Sequence, residues 1–298
     1  MKSKTSDMRG MRLLVTGAAR GVGEQVARTA AARGARVALL GLEPDRLAAI
    51  AADIDGVWFP ADVRDTNEMR DAIDLAADAL GGIDLVVANA GIVDYGTVRQ
   101  VDEAMFERVM DVNVTGTLRT LKYATPHLAR SRGHVSVIAS ALSFLAIPTM
   151  SSYSASKAGV EMLALSYRQE VAHLGISVGL VHPSWLETDL VRGMDHDIPS
   201  FPAMRRHLPY PGNVTTDVET AAIAIVDGLA SRRSRVYVPS AVGVVGWAKA
   251  AIASPASWLW TRRFAAIWVP RLEREITSRD IRRRTAAITG PTTDGVTD

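Results

Sequence analysis

The sequence predicts an α/β protein with a doubly wound parallel sheet of about seven strands and helices on both faces of that sheet. Two observations support this fold class. From Met11 onward, short runs rich in β-branched residues alternate with longer alanine-rich stretches of helical periodicity, which is typical of βαβ units. The chain has 298 residues, of which 48% are hydrophobic, so it can bury the core that such a sheet needs.

Short apolar runs are predicted to be strands, and the amphipathic stretches between them are predicted to be helices. The strands are expected at Arg12–Thr16, Arg36–Leu40, Val57–Pro60, Leu85–Ala88, His134–Ala139, Ser177–Val181 and Val236–Pro239. The helices are expected at about Val22–Arg33, Pro44–Asp53, Thr66–Leu80, Tyr153–Leu174 and Asp217–Ala230, with a long pair from Val101 to Ser131. Because such sheets bind ligands at the carboxyl ends of their strands, functional residues are expected there.

The predicted organisation is one large domain with shorter segments at both ends. Residues 11–240 form the sheet domain, and within it the apolar, proline-rich residues 184–213 are expected to form a loop or lid over the substrate. Residues 1–10 are expected to form an N-terminal tail, and residues 241–285 a C-terminal helical extension. Residues 286–298 are mostly small and polar, which predicts a flexible tail.

Composition excludes several classes of function. The absence of cysteine removes disulfides, thiolate nucleophiles and iron–sulfur clusters, and no pair of the six histidines has metal-ligand spacing, so no metal is expected. A net charge of +2 is too small to indicate a nucleic-acid partner. Residues 1–9 lack the apolar run of a secretory signal, so a cytoplasmic location is expected.

A glycine-rich loop follows the first predicted strand and leads directly into a helix. Its sequence is Thr16-Gly17-Ala18-Ala19-Arg20-Gly21-Val22-Gly23. Gly17 permits a tight turn, while Gly21 and Gly23 let the backbone approach a pyrophosphate at the helix N-terminus. The glycines alone would also suit an ordinary strand–helix turn, but their position in the first βα unit favours nucleotide binding.

This loop resembles the Thr-Gly-x-x-x-Gly-x-Gly nucleotide motif of the short-chain dehydrogenase/reductase family, and further matches extend the resemblance over residues 11–239. Asp62-Val63 follows the third strand, where family members hold the adenine ring, and Asn89-Ala90-Gly91 follows the fourth, beside the cofactor. The resemblance implies a Rossmann-type fold. The cofactor-binding residues that it implies are Gly17, Ala19, Arg20, Gly21, Val22, Gly23, Gly41, Asp62, Val63, Asn89, Ala90, Gly91, Tyr153, Lys157, Pro183 and Thr188.

The end of the second strand bears on which nicotinamide cofactor is bound. An acid there grips the ribose diol of NAD and excludes a 2′-phosphate, but the resemblance puts Gly41 at that position. Arg20 resembles the basic residue that NADP-preferring members place against the 2′-phosphate, so NADP(H) is favoured. We expect Glu43 to turn away at the start of the next helix. The open alternative is that Glu43 holds the diol of NAD(H) and Arg20 is merely solvated.

Four residues match the catalytic positions of the family. Tyr153 and Lys157 begin the helix after the fifth strand, and their i,i+4 spacing puts them on one helical face. Because a free tyrosine has a pKa of about 10, a nearby cation such as Lys157 is needed to favour its phenolate near neutral pH. Ser140 ends the fifth strand, and Asn113 lies within the run Asp-Val-Asn-Val-Thr-Gly.

By the same resemblance, hydride passes between C4 of the nicotinamide and a carbon that bears a hydroxyl or carbonyl group. Ser140 orients and polarises that oxygen, and Tyr153 gives or takes its proton. Lys157 lowers the pKa of the tyrosine, binds the nicotinamide ribose and connects through Asn113 to solvent. Thr188 stands where family members contact the carboxamide, while Ser184 replaces their usual glycine.

The substrate cleft is expected to be lined by three loops, at residues 92–98, 141–150 and 185–208. Their mostly apolar side chains indicate an apolar alcohol, aldehyde or ketone as substrate. Ser200–Leu208 is expected to form a short lid helix that directs Arg205 and Arg206 toward solvent or an anionic substrate group. Two alternatives stay open: a 3-oxoacyl thioester reductase, and a nucleotide-binding or membrane-associated scaffold without catalysis. A homodimer or homotetramer is expected by resemblance.

The C-terminal extension is rich in tryptophan and arginine. Four of the six tryptophans fall here, at positions 247, 258, 260 and 268, and eight arginines oppose three acids between residues 262 and 284. Tryptophan beside arginine on amphipathic helices is typical of contact with a membrane surface, which here would involve residues 247–284. The alternative is a helix pair that packs on the same subunit or a neighbour and exposes a solvated basic face.

Overall fold

A seven-stranded parallel sheet lies at the centre of the computed structural model, which describes residues 7–252 and 254–278. In chain order the strands are β1 (Arg12–Thr16), β2 (Arg36–Gly41), β3 (Val57–Pro60), β4 (Leu85–Ala88), β5 (His134–Ile138), β6 (Ser177–Pro183), β7 (Trp185–Leu186), β8 (Thr215–Thr216) and β9 (Arg235–Val238). The sheet has the order β3-β2-β1-β4-β5-β6-β9. The predicted fold class and its seven strands are confirmed. The short β7–β8 pair was not predicted.

Helices cover both faces of the sheet and continue beyond its last strand. They are α1 (Gly21–Ala32), α2 (Pro44–Ile54), α3 (Thr66–Leu80), α4 (Glu103–Met110), α5 (Gly116–Ser131), α6 (Ser151–Glu170), α7 (Asp189–Asp197), α8 (Ser200–Arg206), α9 (Val218–Ala230), α10 (Val242–Trp247), α11 (Lys249–Ile252) and α12 (Pro255–Ser278). A π-helical turn, Asp111–Thr115, joins α4 to α5. The helix predicted to end at Leu174 ends at Glu170, and a 3₁₀ turn at Ala172–Leu174 follows it.

Aspartate side chains begin three of these helices. The Asp65 carboxylate accepts hydrogen bonds from the backbone N–H groups of Asn67 and Glu68 at the start of α3. Asp102 accepts from two N–H groups at the start of α4, and Asp217 accepts from the N–H of Thr220 at the start of α9. Each carboxylate satisfies N–H groups that have no partner inside the helix, which stabilises a helix start by about 1 kcal/mol.

The core consists of an apolar layer on each face of the sheet. In β1, Leu14 belongs to the layer under α3, α5 and α6, while Leu13 and Val15 belong to the layer under α1 and α9. All three side chains are fully buried. Because both faces are covered, β1 reads as a continuous apolar run in the sequence rather than as an alternating one.

A third apolar cluster joins the C-terminal helix α12 to the carboxyl edge of the sheet. Trp268, Leu272 and Ile276 of α12 pack with Phe201 and Met204 of α8 and with residues of the loops after β4 and β5. The second half of α12 therefore packs on its own subunit. Residues 1–6 and 279–298, which include the predicted flexible tail, lie outside the described residues. Over the two described ranges, no helix has both the length and the apolar character that crossing a bilayer requires.

Replacing Leu272 by alanine should lower the free energy of unfolding by about 2–5 kcal/mol, because the buried side chain would leave a cavity between α12 and α8. Urea denaturation followed by circular dichroism measures the change. The matched control is Leu259→Ala on the same helix, where the side chain is 66% exposed. The control should change the free energy of unfolding by less than about 0.5 kcal/mol. Equal effects of the two substitutions would show that α12 contributes little to the folded core.

Candidate active site

A cleft with a cavity volume of about 360 Å³ opens at the carboxyl edge of the sheet, beside the point where the strand order reverses between β1 and β4. It brings together most of the predicted site residues: Gly17, Ala19, Arg20, Gly21, Val22, Gly41, Asp62, Val63, Asn89, Ala90, Gly91, Ser140, Tyr153, Lys157, Pro183 and Thr188. Gly23 and Asn113 are not part of its lining. They lie directly behind it, Gly23 against Gly17 and Asn113 against Gly91.

The glycine loop is held tightly between the ends of β1 and β4. The Asn89 side-chain amide donates to the carbonyl oxygens of Thr16 (3.0 Å) and Gly17 (3.1 Å). A Cβ atom on Gly23 would overlap the carbonyl oxygen of Gly17 and lie 2.6 Å from Asn89 Nδ2. The loop therefore requires glycine there for close approach of the two backbone segments.

The N-terminus of α1 faces this loop and suits a phosphate group. Arg20 is the N-cap residue of α1, and its side chain makes no capping hydrogen bond. The first N–H groups of the helix are therefore left for a ligand, and the helix dipole favours an anion at this end. Thr188 lies across the loop, with its methyl group 3.7 Å from the position of a Cβ on Gly21. These residues fit the pyrophosphate of a dinucleotide.

Glu43 does not turn away from the cleft, so that expectation is wrong. It is the N-cap residue of α2, lines the cleft, and accepts a hydrogen bond from Arg20 Nε at 2.9 Å. The two opposite charges attract each other across the mouth of the cleft. Both side chains are about one third exposed or more, so solvent screens this ion pair. Gly41, at the end of β2, contributes no carboxylate beside them.

Arg64 is a second cation at this end of the cleft, and the sequence analysis missed it. Its guanidinium group donates to Asp62 Oδ2 from Nε (2.9 Å) and Nη2 (2.8 Å), while its backbone N–H donates to Oδ1. Both carboxylate oxygens of Asp62 are therefore engaged by Arg64. The sequence signal that could have identified Arg64 is its position two residues after Asp62, the aspartate that follows β3.

Tyr153 and Ser140 meet at the base of the cleft. Tyr153 lies in the first turn of α6, and its ring packs among apolar residues of the third cluster. Burial raises the pKa of Tyr153 to about 12, against the smaller lowering effect of its hydrogen bond with Ser140. Ser140 Oγ also accepts the backbone N–H of Leu142 at 3.1 Å. The phenol is therefore protonated at neutral pH in this structure.

Lys157 lies one helical turn from Tyr153 and is almost fully buried. Its ammonium group is 5.6 Å from the centre of the Tyr153 ring and donates to the carbonyl oxygen of Ile138 at 2.8 Å. Burial lowers the pKa of Lys157 to about 8. In this structure burial raises the pKa of Tyr153, and the lowering effect expected of Lys157 stays a prediction.

Asn113 occupies the π-helical turn between α4 and α5, where it links two parts of the site. Its side chain accepts from the N–H of Ile92 (2.8 Å) and donates to the carbonyl oxygen of Ile92 (2.9 Å) and to Ser156 Oγ (2.9 Å). Ser156 in turn donates to the carbonyl oxygen of Tyr153. Asn113 therefore fixes the loop after β4 against α6.

The other end of the cleft is apolar. Its lining includes Leu142, Leu145, Ile147, Met150, Trp185, Leu190 and Met194. The Trp185 indole N–H donates to the carbonyl oxygen of Gly212 at 2.8 Å, so the polar atom of that ring already has a partner within the protein. Phe201 and Met204 were expected in the same loops but are fully buried beneath the lining.

Arg205 of the lid helix α8 does not face solvent, so that expectation is also wrong. Its guanidinium group pairs with Asp195 at 2.8 Å and lies over the Trp185 ring, 5.6 Å from its centre. Only 12% of the side chain is exposed. The carboxylate of Asp195 and the face of the indole ring hold this cation against the lid.

Known proteins share this architecture. A family model described as short chain dehydrogenase matches residues 12–199. The cis-4-hydroxycyclohexanecarboxylate dehydrogenase of Sinomonas cyclohexanicum is 35% identical over 199 residues, which cover 65% of this chain and 80% of that protein. Nodulation protein G of Rhizobium sp. (strain N33) is 35% identical over 185 residues, covering 61% and 76%.

Solved structures agree with these relatives. A short-chain dehydrogenase from Burkholderia cenocepacia J2315 in complex with NADP has a TM-score of 0.69 and 28% identity, covering 77% of this chain and 96% of that chain. A short-chain type dehydrogenase/reductase from Mycobacterium marinum has a TM-score of 0.70 and 29% identity, covering 78% and 95%. The fold and cleft are those of an oxidoreductase that uses a nicotinamide dinucleotide. This chain belongs to the short-chain dehydrogenase family.

Replacing Gly23 by alanine should weaken nucleotide binding more than tenfold, because the added Cβ would push apart Gly17 and Asn89. Nicotinamide fluorescence during titration with NADPH measures the affinity. The control is Gly81→Ala at the end of α3, where the backbone has φ +75° and no atom lies within 4 Å of the added Cβ. This control should cost about 1 kcal/mol of stability and leave the affinity unchanged. Unchanged affinity in Gly23→Ala would remove the glycine loop from the binding site.

Proposed function

We propose that this protein is an NADP(H)-preferring reductase of apolar ketones or aldehydes, with Tyr153 as the proton donor. The observation that carries this proposal is the meeting of Ser140, Tyr153 and Lys157 with the glycine loop in one cleft, whose remaining wall is apolar. A nicotinamide dinucleotide supplies the hydride when it is bound. The protein's own residues bind the substrate oxygen, exclude water and provide the proton.

The apolar wall orients the substrate. An apolar ketone can place its hydrocarbon part against Leu142, Leu145 and Met194, and its oxygen then lies toward Ser140 and Tyr153. Ser140 Oγ accepts the N–H of Leu142, which leaves the serine hydroxyl proton to donate to the substrate oxygen. The Sinomonas relative is named for a ring alcohol that also carries a carboxylate, which supports a secondary alcohol or ketone as the reacting group.

Tyr153 can supply the proton that the reducing direction requires. A pKa of about 12 keeps the phenol protonated at neutral pH, which is the form that donates to a newly reduced oxygen. The opposite direction needs the phenolate. Lys157, with its pKa lowered to about 8 by burial, holds an exchangeable proton one turn away and can restore the phenol. Asn113 holds the loop beside Lys157 in position through its bonds with Ile92. Both Asn113 Oδ1 and Lys157 Nζ lie next to Gly91 in that loop.

The charges at the mouth of the cleft support a preference for NADP(H). Arg20 lines the cleft next to Gly41, where a carboxylate would otherwise repel a 2′-phosphate. Glu43 neutralises Arg20 in this structure, so a 2′-phosphate has to replace the glutamate as the partner of that arginine. Arg64 is a second arginine nearby, and it is paired with Asp62. The NADP complex of the Burkholderia relative is consistent with this assignment.

We also propose that the protein forms a homodimer or homotetramer through the helices that carry Asn113 and Tyr153. Family members generally form oligomers. Large apolar side chains are exposed on these helices, namely Phe106 on α4, Leu118 on α5 and Met162 on α6. A symmetric contact that covers them would remove apolar surface from water.

Replacing Tyr153 by phenylalanine should lower kcat for ketone reduction by at least about 100-fold, because the proton donor is removed while the ring remains. The affinity for NADPH should change by less than about threefold, since the hydroxyl is not needed to bind the dinucleotide. Steady-state kinetics with NADPH and a cyclic ketone, together with a fluorescence titration, measure both quantities. The matched control is Tyr167→Phe on the same helix, which removes a buried hydroxyl that bonds Thr125 at 2.8 Å.

Ordinary turnover by Tyr153→Phe would show that another group is the acid. Absence of turnover by the wild-type protein, with tight nucleotide binding, would favour the non-catalytic scaffold. A preference for short 3-oxoacyl thioesters over free ketones would favour the thioester reductase.

The cofactor preference has its own test in Arg20→Ala. This change should weaken NADPH binding about tenfold, which corresponds to about 1.4 kcal/mol, and should leave NADH binding nearly unchanged. Glu43→Gln is the partner experiment and should tighten NADPH binding, because it frees Arg20 from its ion pair. The wild-type protein could instead bind NADH more tightly than NADPH. If Glu43→Gln removed that preference, Glu43 would be assigned to the ribose diol.

A further inference from the structure

The C-terminal helices expose an unusual set of large apolar side chains. On α10, Val244 is 73% exposed and Trp247 is 91% exposed. On α12, Trp258, Leu259 and Ile267 are each more than half exposed. Scattered exposed leucines are normal, but two exposed tryptophans among valine, leucine and isoleucine on neighbouring helices mark a contact surface.

The exposed charged side chains of α10, α11 and α12 are all basic. They are Lys249, Arg262, Arg263, Arg271 and Arg274. The only acids between residues 242 and 278 are Glu273 and Glu275. Both are turned toward the body of the protein. We call the five exposed apolar residues and the five basic residues the outward C-terminal face.

The two glutamates fix the orientation of α12. Glu273 accepts hydrogen bonds from Thr97 Oγ1 (2.8 Å) and from Arg99 (2.6 Å) in the loop after β4. Glu275 accepts the backbone N–H of Ser200 at 2.9 Å, at the start of the lid helix α8. Together with the buried residues of α12, these bonds hold the inner face against the subunit. The part of the outward C-terminal face that lies on α12 is therefore presented by a docked helix.

This face lies beside the cleft. Leu142 and Trp185 line the cleft and also belong to the apolar cluster that receives the inner side of α12. On α10, Gly246 packs against the Phe144 ring, in the loop that follows Ser140. The helices that carry the outward C-terminal face therefore contact the apolar cluster and the loop that border the substrate end of the cleft.

We propose that the outward C-terminal face docks on an anionic lipid bilayer. Tryptophan, leucine and isoleucine side chains enter the boundary between headgroups and acyl chains, and arginines bond the lipid phosphates. Charge decides against a second copy of the chain as the occupant. A twofold contact of this face would place its unpaired cations against identical cations, whereas an anionic surface complements them.

One consequence of docking rests on the proposed function. An apolar ketone concentrates in the bilayer, so a docked protein would receive its substrate at the mouth of the cleft. Docking itself does not depend on catalysis.

Vesicle flotation with the full-length protein tests the proposal. The probes are phosphatidylcholine vesicles with and without about 30% phosphatidylglycerol, at low salt and at about 0.5 M NaCl. The protein should float with the anionic vesicles, bind the neutral vesicles at least tenfold more weakly, and lose most of its binding at high salt. Absence of flotation with anionic vesicles at low salt overturns the proposal.

Two variants assign the binding to this face. Trp247→Ser/Trp258→Ser and Arg262→Glu/Arg263→Glu should each reduce binding at least tenfold. The matched controls lie on the outer helices: Leu75→Ser on α3, and Arg70→Glu/Arg130→Glu on α3 and α5, which should bind like the wild type. Because these side chains are exposed, circular dichroism should show unchanged folding.

Three outcomes separate the proposal from its rivals. Flotation of both double variants with the anionic vesicles as strongly as the wild type would show that another surface contacts the lipid and would overturn it. A lower oligomer mass for Trp247→Ser/Trp258→Ser by light scattering, without lipid, would assign the face to a second copy and would also overturn it. Tyr153→Phe should float like the wild type, so failure of the proposed function leaves this test intact.

Discussion

The close approach of β1 and β4 is the constraint on which the rest of the molecule depends. At this point the strand order reverses, and Asn89 bonds two successive carbonyl oxygens of the first strand end. A Cβ atom on Gly23 would lie 2.6 Å from the nitrogen of the same amide, so the sheet edge and the phosphate loop form one packed unit. Every later part of the site, from the π-helical turn to the start of α6, is positioned relative to that unit.

Burial acts on two neighbouring groups in opposite directions. It disfavours the charged form of each, so it raises the pKa of Tyr153 and lowers that of Lys157. Both shifts favour the neutral species, the phenol of Tyr153 and the amine of Lys157, compared with the same side chains in water. The two groups can hold a proton beside an apolar wall without a carboxylate.

The sequence predicted the fold class and the strands because their signals are local: an apolar run, a helical period or a glycine spacing. The strand-end residues that it singled out meet in one cleft for the same reason, since parallel strands end at one edge. Side-chain direction was harder to predict. Glu43 pairs with Arg20, and Arg205 pairs with Asp195. The spacing of these residues in the sequence did not predict either ion pair. The β7–β8 pair, two residues on each strand, carries no periodicity.

The apolar cluster shared by α8, α12 and the cleft has a consequence for redesign of the protein. Met194 lines the cleft, and its side chain is fully buried in the cluster that also holds Trp268 and Leu272. A change of substrate scope made at such a position alters the anchoring of the last helix at the same time. Leu145 and Ile147 line the same cleft but are only half-buried. Libraries that vary those two positions can reshape the binding space at a smaller cost in thermostability.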